Sequence, residues 1–475
     1  MTTFQPAATS KLSRIFTLLK QAVKGGNHDF TKGSIRRAVL LLAIPMMVEM
    51  AGESVFALVD QYFVGHLRHS SYAIQTVGLT ESVLSIIYSL AIGMSMAATA
   101  VVARRVGEQD PVAASKAGMQ TITIALIINV VIGLAGFYFA ADILSLMGAS
   151  AETVKLGTNF TRIMMGETII IVLLFLINGI FRGAGNASIA MWSLFIANVA
   201  NCILCPLFIR GLGPIPAFGL TGAAIATTIG RSMGVCYQVY HLFNGKHIIK
   251  ARLAYLKPHW EQIKAIMKIA VPAIFQFVIA SGSWIILAQL VAKTGGDHGS
   301  AGYQTAIRLM LFFMLPAWGM SNAAATLVGQ NLGAKEMERA EDSVYKTMKY
   351  NVIYMGLVTV ITFFVAHYLT AIFTNDTQVR EVASRALRIL SAGYIFYGIG
   401  MVMMSAFNGA GDTWTTTRVN FFGFWLVQIP IAYLMAKSLG MGITGVFLAV
   451  PIAETGMAIA SFFLFRAGKW KKVKV

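Results

Sequence analysis

The sequence predicts an all-α membrane protein: twelve transmembrane helices in two six-helix lobes related by a parallel internal repeat. Three observations carry this expectation. Of the 475 residues, 56% are hydrophobic and only 12% charged, about half the charge that a soluble domain needs to face water. Stretches free of Asp, Glu, Lys and Arg run over 117–141, 183–209, 269–292, 309–334 and 350–375, each longer than the ~20 residues that cross a bilayer as a helix. The second half of the chain also repeats motifs of the first, in the same order.

Breaking the apolar blocks at charged or Gly/Pro-rich connections gives the spans in turn. The first, 38–66, follows Arg36 and Arg37; the second, 78–103, stops at Arg104 and Arg105; the third, 117–141, lies between Lys116 and Asp142. The fourth, 156–181, stops at Arg182, the fifth, 187–209, at Arg210, and the sixth, 217–244, opens at a glycine-containing turn. The second set follows as 264–292, 303–333, 347–373, 385–408, 416–436 and 443–466, the last stopping at Arg466. The blocks are long and continuous, whereas barrel strands alternate over ~10 residues, so helices are expected.

Charge fixes the orientation. Lys and Arg gather in 1–37, in the connection 246–268, in 334–349 and in the tail after Arg466. The positive-inside rule then puts both termini in the cytoplasm of a multi-pass inner-membrane protein, which requires an even number of spans. The expected organisation is a basic cytoplasmic segment 1–37, a lobe 38–245, a cytoplasmic linker 246–262, a second lobe 263–467 and a basic tail 468–475. Residues 10–24, SKLSRIFTLLKQAVK, read either as a basic amphipathic helix on the inner leaflet or as a partly ordered basic tail. No cleavable signal peptide is expected in 1–37.

The repeat is explicit. Residues 93–107, GMSMAATAVVARRVG, match 319–333, GMSNAAATLVGQNLG, at an offset of 226. FRGAGN, from Phe181, matches FNGAGD, from Phe407, at the same offset; Ala43-Ile44-Pro45 matches Ala270-Val271-Pro272 at 227, and GLTG from Gly219 matches GITG from Gly442 at 223. Each repeat holds six spans, so the halves share one topology. Parallel halves about an axis along the membrane normal are a transporter design, with the site between or within them.

Other classes are disfavoured. Cys202, Cys205 and Cys236 all lie in apolar segments, which excludes a disulfide framework, and the C-x-x-C of Cys202 and Cys205 has no second Cys/His cluster to make a zinc site. The net charge of +18 belongs to juxtamembrane loops rather than to a nucleic-acid-binding domain. GAGN and GAGD lack the lysine and strand context of a phosphate loop, so no ATP site or other cofactor is expected. No nucleophile motif, metal cluster or large extramembrane domain points to a membrane enzyme or receptor.

At these residues the chain resembles the multidrug and toxic compound extrusion (MATE) transporters of bacterial type. The resemblance covers almost all of 38–466 and rests on VDQYFVGHL, RGAGN, NCILCPLFIRGLG, GLTGAAIAT, VGQNLGAKEMERAE and FNGAGDT in order. It implies two six-helix lobes in a V and export of organic cations or drugs in exchange for H⁺ or Na⁺, by a protein expected to be a monomer among membrane lipids. A lipid-linked oligosaccharide flippase of the same superfamily is the alternative; its anionic cargo needs a basic cavity, whereas here acids are expected to outnumber cavity arginines.

A cation exporter needs negative charge inside the membrane, where an Asp costs ~2.5–3.5 kcal/mol, so each intramembrane acid is a functional candidate. These are Glu49, Glu53, Asp60, Glu167 and Glu454. Asp60 is the first choice, because the resemblance implies that it is the first-span residue that binds the coupling ion; the alternative is an Asp near the outer surface. The resemblance also implies roles for Asn201, for Cys205, which stands where the family carries Asp, and for Thr227, whose alternative is a bond to its own helix. A possible Na⁺ site is thus Asp60, Asn201 and Thr227. A thiol is a poor ligand for hard Na⁺, so H⁺ is the expected ion.

Glu49 and Glu53 share a helix face as secondary candidates; two carboxylates so placed do not both ionise easily, and Arg162, Arg231 or Arg308 are possible ion-pair partners for Glu53 and Glu167. Met310, Met314 and Met404, with Gln276 at the repeat position of Glu49, are weak substrate-binding candidates, lipid or core packing being favoured for the methionines.

Overall fold

The computed structural model describes the chain except residues 1–10, 66–69, 212–213, 215, 375 and 474; side chains of 11–15, 55–65 and 70–71 are also outside the described set. A short helix α1 (Lys11–Lys24) precedes the first lobe. That lobe consists of α2 (Ile35–Gly65), α3 (Ser70–Gly107), α4 (Pro111–Tyr138), α5 (Ala140–Leu146), α6 (Ala151–Gly166), α7 (Thr168–Gly183), α8 (Ala187–Arg210) and α9 (Leu220–Phe243). α6 and α7 together form one span, and α5 is a short helix between the third and fourth spans.

The second lobe starts with α10 (Trp260–Gly333), 74 residues that contain two spans. Gly296, with φ +59°, breaks it between 260–295 and 297–333, a backbone conformation that glycine adopts without a Cβ penalty. α11 (Met337–Ala371) follows, then α12 (Thr377–Ser391) and α13 (Tyr394–Ala410), which form a single span bent by 55°. α14 (Thr413–Asn420), a π-helical stretch Phe421–Gln428, α15 (Ile429–Tyr433) and a second π stretch Leu434–Ser438 form the eleventh span. α16 (Ile443–Arg466) is the twelfth. Judged by length and apolarity alone, eight helices among the described residues, or nine with the bent pair, suffice to cross a membrane. The second span inside α10, together with α2 and α9, which carry Glu49, Glu53 and Arg231, completes the twelve.

Capping follows local chemistry. Asp110, Ser150, Asp376 and Asp412 accept from backbone N–H groups at the starts of α4, α6, α12 and α14, satisfying donors that no helix can pair internally. Between helices in a membrane, apolar burial supplies little drive, so small residues that let backbones approach matter most. The repeated G-M-S motifs supply them. A Cβ on Gly107 would meet the Gln330 carbonyl oxygen at 1.9 Å, and one on Gly333 the Arg104 carbonyl oxygen at 2.1 Å. Further along the same pair of helices, Gly93 packs against Ile274 and Gly319 against the Met46 carbonyl. The contacts come in repeat-related pairs, so the α3–α10 seam follows the pseudo-twofold axis.

This seam closes the end of the molecule that carries both basic segments. Across it Thr326 Oγ1 donates to the Arg182 carbonyl at 3.0 Å and Gln330 Nε2 to that of Gly183 at 2.9 Å. The flanking segments reinforce it. Arg339 donates to the carbonyls of Phe30, Lys32 and Gly33, while Arg104 donates to the Val473 carbonyl at 2.9 Å. α1 is folded onto α8: Ser188 donates to the Ala22 carbonyl and Trp192 to that of Val23, at 2.5 and 3.1 Å. Trp470, in the basic tail, is buried and stacks on Phe465. The tail is therefore part of the fold.

Candidate functional site

Between the lobes lies a cavity of 1190 Å³, larger than the ~300–1,000 Å³ typical of small-molecule pockets. Its outer rim includes Ile74 at the start of α3 and Leu369 and Phe373 near the end of α11; its floor reaches Arg182, Ala325 and Asn408, beside the seam. It opens away from the end that carries the termini. The wall from the second lobe is mainly apolar and aromatic, with Phe312, Phe313, Leu315 and Trp318.

The first lobe presents a polar wall. Asn201, one turn before Cys205 on α8, is buried and donates from Nδ2 to Thr227 Oγ1 of α9 at 2.8 Å. Asn201 Oδ1 is buried and has no hydrogen-bond donor among the described residues. Thr227 thus pairs across helices. One turn further along α9, Arg231 reaches Glu167 Oε1 at 2.7 Å and donates to Tyr88 Oη at 2.7 Å. Glu53 accepts a hydrogen bond from Asn198 and faces the Arg231 guanidinium. Glu53, Tyr88, Asn198, Asn201, Thr227 and Arg231 surround a small side chamber with room for about one water or a small cation. Glu53, Tyr88, Thr227 and Arg231 also line the main cavity, so the chamber is a recess of its wall.

Three of the sequence-predicted site residues therefore converge: Glu53, Asn201 and Thr227. Cys205 is fully buried in the core of the first lobe. Asp60 lies on α2, but its side chain is outside the described residues. Glu49 lies behind the cavity floor: its Oε1 accepts from Asn178 Nδ2 at 3.3 Å and stands 3.6 Å from Arg182 Nη2. Asn178 Oδ1 in turn accepts from Ser193 and Gln238, a network tying α2, α7, α8 and α9 together. The chamber's donor set is oxygen-rich and suits a hard cation or a proton better than a soft metal; among the described residues no three His, Cys, Asp or Glu side chains converge on a metal position.

The structure corrects several expectations. Arg182, expected at the end of a span, is buried at the cavity floor and pairs with Glu49, because the helix turn that ends at Gly183 packs against the seam. Arg162 pairs with neither acid; it lies over the Phe137 ring and donates to the Phe137 carbonyl. Among the described residues three arginines, Arg182, Arg231 and Arg308, line the main cavity beside two carboxylates, Glu53 and Glu81, so there the acids do not outnumber the arginines. Met310, Met314, Met404 and Gln276 are outside the cavity lining. Met310 and Met314 are 3% exposed within the second lobe's core, Met404 packs on a small cluster with Phe424 and Met457, and Gln276 accepts from Thr416 at 2.8 Å. Glu454, at the repeat position of Arg231, is buried in the second lobe and hydrogen-bonded to Tyr397. Sequence reasoning missed Tyr88 and Asn198, which lie in apolar helices with no charge to single them out.

Two pseudo-equivalent six-helix lobes around a central cleft, with a buried polar recess in one of them, define a membrane transporter of the duplicated, parallel-repeat class. The MatE family model matches the chain twice, at residues 45–207 and 272–434, at the offset of 227 already seen in the repeat. The chain belongs to the MatE family. It is 25% identical over 444 residues to the Thermotoga maritima protein named as a probable multidrug resistance protein NorM, covering 92% of this chain and 94% of that one. It is 22% identical over 437 residues to the multidrug export protein MepA of Staphylococcus aureus, covering 92% and 95%. Among solved structures, a MATE protein in complex with MaL6 superimposes with a TM-score of 0.88 at 25% identity, over 95% of this chain and all of that one. The outward-facing conformation of a multidrug resistance MATE family transporter gives 0.87 at 26%, over 94% and 98%.

Proposed function

We propose that this protein is a secondary active antiporter of the inner membrane that exports amphipathic organic compounds in exchange for H⁺ or Na⁺. The observation that carries the reading is the cleft itself: sealed by the α3–α10 seam at the end bearing the termini, open at the other, with a polar recess in its wall. The names of the relatives, multidrug resistance and multidrug export proteins, support the cargo class. Both termini and the linker 246–262 are assigned to the cytoplasm from their positive charge, so the cleft faces outward. Rocking the two lobes about the seam would expose it to the other side.

The coupling ion is assigned to the recess formed by Glu53, Asn201 and Thr227, with Asp60 two turns further along α2. With Cys205 where a carboxylate would complete the set, H⁺ is favoured over Na⁺. The flippase alternative gains little from the arginines: Arg182 and Arg231 are already paired with Glu49 and Glu167, which leaves Arg308 alone for an anionic cargo among the described residues.

The decisive experiment is efflux of a cationic dye from vesicles driven separately by a pH gradient and by a Na⁺ gradient. Export on a pH gradient alone supports H⁺ antiport; export on Na⁺ alone replaces it. In the same assay Asp60→Asn, which keeps size but removes charge and titration, is expected to reduce driven efflux to the passive leak rate at normal expression. Active efflux retained by the variant would remove Asp60 from the mechanism. Cys205→Asp adds an oxygen ligand and a charge next to Asn201, and is expected to raise Na⁺ affinity about tenfold, because ligand charge count tunes the binding of hard cations. Unchanged Na⁺ dependence would place the ion elsewhere.

A further inference from the structure

We infer that each lobe carries a phospholipid site on its membrane-facing surface, with Arg162 and Arg388 as the phosphate ligands and an anionic phospholipid as the occupant. The observation is one contact made twice. Arg162, on α6, donates from Nε to the Phe137 carbonyl of α4 at 3.3 Å, and Arg388, on α12, donates from Nε to the Phe363 carbonyl of α11 at 3.1 Å. The two arginines, like the two phenylalanines, are 226 positions apart, the offset of the repeat. Elsewhere the lobes have diverged in charge: Glu167 corresponds to Gly393, and Arg231 to Glu454. The contact is kept where other buried and exposed charges are not. It does not serve the cleft, since neither arginine lines the cavity, whereas Phe160 and Met164, on another face of α6, do. Arg388 is exposed and Arg162 half-buried.

Depth and chemistry name the occupant. Phe137 lies 26 residues along α4 from Pro111, and Phe363 lies 26 residues along α11 from Met337. Both helices start next to the seam, so at 1.5 Å per residue the two carbonyls stand ~39 Å from the closed end. A bilayer is ~30 Å thick in its hydrocarbon and ~40–45 Å with headgroups, which puts both guanidiniums at the headgroups of the leaflet away from the termini. Tyr138 and Phe139 beside the first site, and Phe364 and Tyr368 beside the second, are exposed, as in the aromatic belt found at that level. Among the described residues neither arginine has an ion pair, and each donates through Nε alone. The bond from Nε fixes the guanidinium plane and leaves the edge formed by Nη1 and Nη2 open, a planar fork that matches two phosphate oxygens. Free phosphate would satisfy the charge and leave the aromatic surface bare; a phospholipid covers both. With no carboxylate beside the arginine to hold a headgroup ammonium, an anionic headgroup fits better than a zwitterionic one.

The test is native mass spectrometry of the delipidated full-length protein in detergent, titrated with phosphatidylglycerol, with phosphatidylethanolamine and with inorganic phosphate. The wild type is expected to retain two phosphatidylglycerol molecules more tightly than any further ones, and to prefer them over phosphatidylethanolamine. Arg162→Gln and Arg388→Gln should each remove one of the two, weakening that site about tenfold through the loss of a charge-assisted contact, and the double variant should remove both. Affinity for phosphatidylethanolamine should change little, which also reports an intact fold. The double variant Arg162→Lys and Arg388→Lys keeps the charge without the fork; it should bind phosphatidylglycerol more weakly than the wild type and still prefer it over phosphatidylethanolamine. Equal retention of phosphatidylglycerol by the wild type and the double Gln variant overturns the assignment, as does equal affinity of the wild type for the two lipids. Displacement of phosphatidylglycerol by an equal concentration of inorganic phosphate would make these anion sites and sink the lipid reading.

Discussion

Replacing Gly107 with leucine is expected to abolish transport while leaving both lobes folded. A Cβ at this position stands 1.9 Å from the Gln330 carbonyl oxygen and 2.7 Å from its carbonyl carbon. Both atoms are backbone, so no rotamer change relieves the overlap, and α3 must separate from α10 at the inner end. Overpacking of this kind costs up to ~3 kcal/mol or more, enough to move the balance between closed and open inner seal by about a hundredfold. Gly333→Leu should have the same effect through the Arg104 carbonyl, 2.1 Å away, because the two glycines are repeat equivalents. Dye efflux should fall to the leak rate, and a cysteine at the buried position Thr326 should become reactive from the side that carries the termini. Gly456→Ala, where a Cβ meets nothing within 4 Å, is the control and should transport normally. Normal turnover by Gly107→Leu would remove the seam from the transport cycle.

The second large effect concerns stability. Arg231→Ala leaves Glu167, whose side chain is 1% exposed, as a buried carboxylate without its 2.7 Å guanidinium partner, and takes the Tyr88 hydroxyl's donor away as well. Removing one member of a buried pair costs ~3–5 kcal/mol, most of it from the charge left behind. The variant should unfold at a clearly lower temperature in detergent. Arg231→Met combined with Glu167→Leu should recover most of the loss, since replacing both charges by apolar groups of similar volume is often neutral. A double variant no better than Arg231→Ala would mean that Arg231 stabilises the lobe through Tyr88 and the Glu53 recess rather than through Glu167.

The spans were legible because a bilayer imposes length and apolarity on every crossing, and the repeat was legible as identity at a fixed offset. What that identity does physically was not. Gly93, Gly107, Gly319 and Gly333 read as markers of duplication, and only their approach to Met46, Ile274, Gln330 and Arg104 reveals a seal. Glu167 and Arg231 were recoverable as a pair, because opposite charges in apolar spans must find each other. Arg182 misled, since a basic residue after a long apolar run reads as the edge of the membrane; its partner Glu49 is 133 residues away and nothing local links them. Met310 and Met314 were ambiguous for a different reason. One turn of a buried helix offers the same methionine spacing to a core as to a ligand. Tyr88 and Asn198 carry no sequence signal at all.

The inner closure has a property that its bonding chemistry dictates. Among the described residues its cross-lobe hydrogen bonds run from guanidinium, amide and hydroxyl groups to backbone carbonyls and, from Asn408, to the Met96 sulfur, and none of the ion pairs spans the two lobes. Arginine keeps its charge at every physiological pH, and a carbonyl does not titrate. The latch is therefore blind to pH and to Na⁺: neither can loosen these bonds directly. Whatever the ion does must reach the latch as displacement. α2 is built to deliver it, because the same helix bears Glu49 and Glu53 at one level and presses Met46 onto Gly319 at another. On the antiport proposed above, charge on this helix is the electrical input and its pressure on the seam the mechanical output.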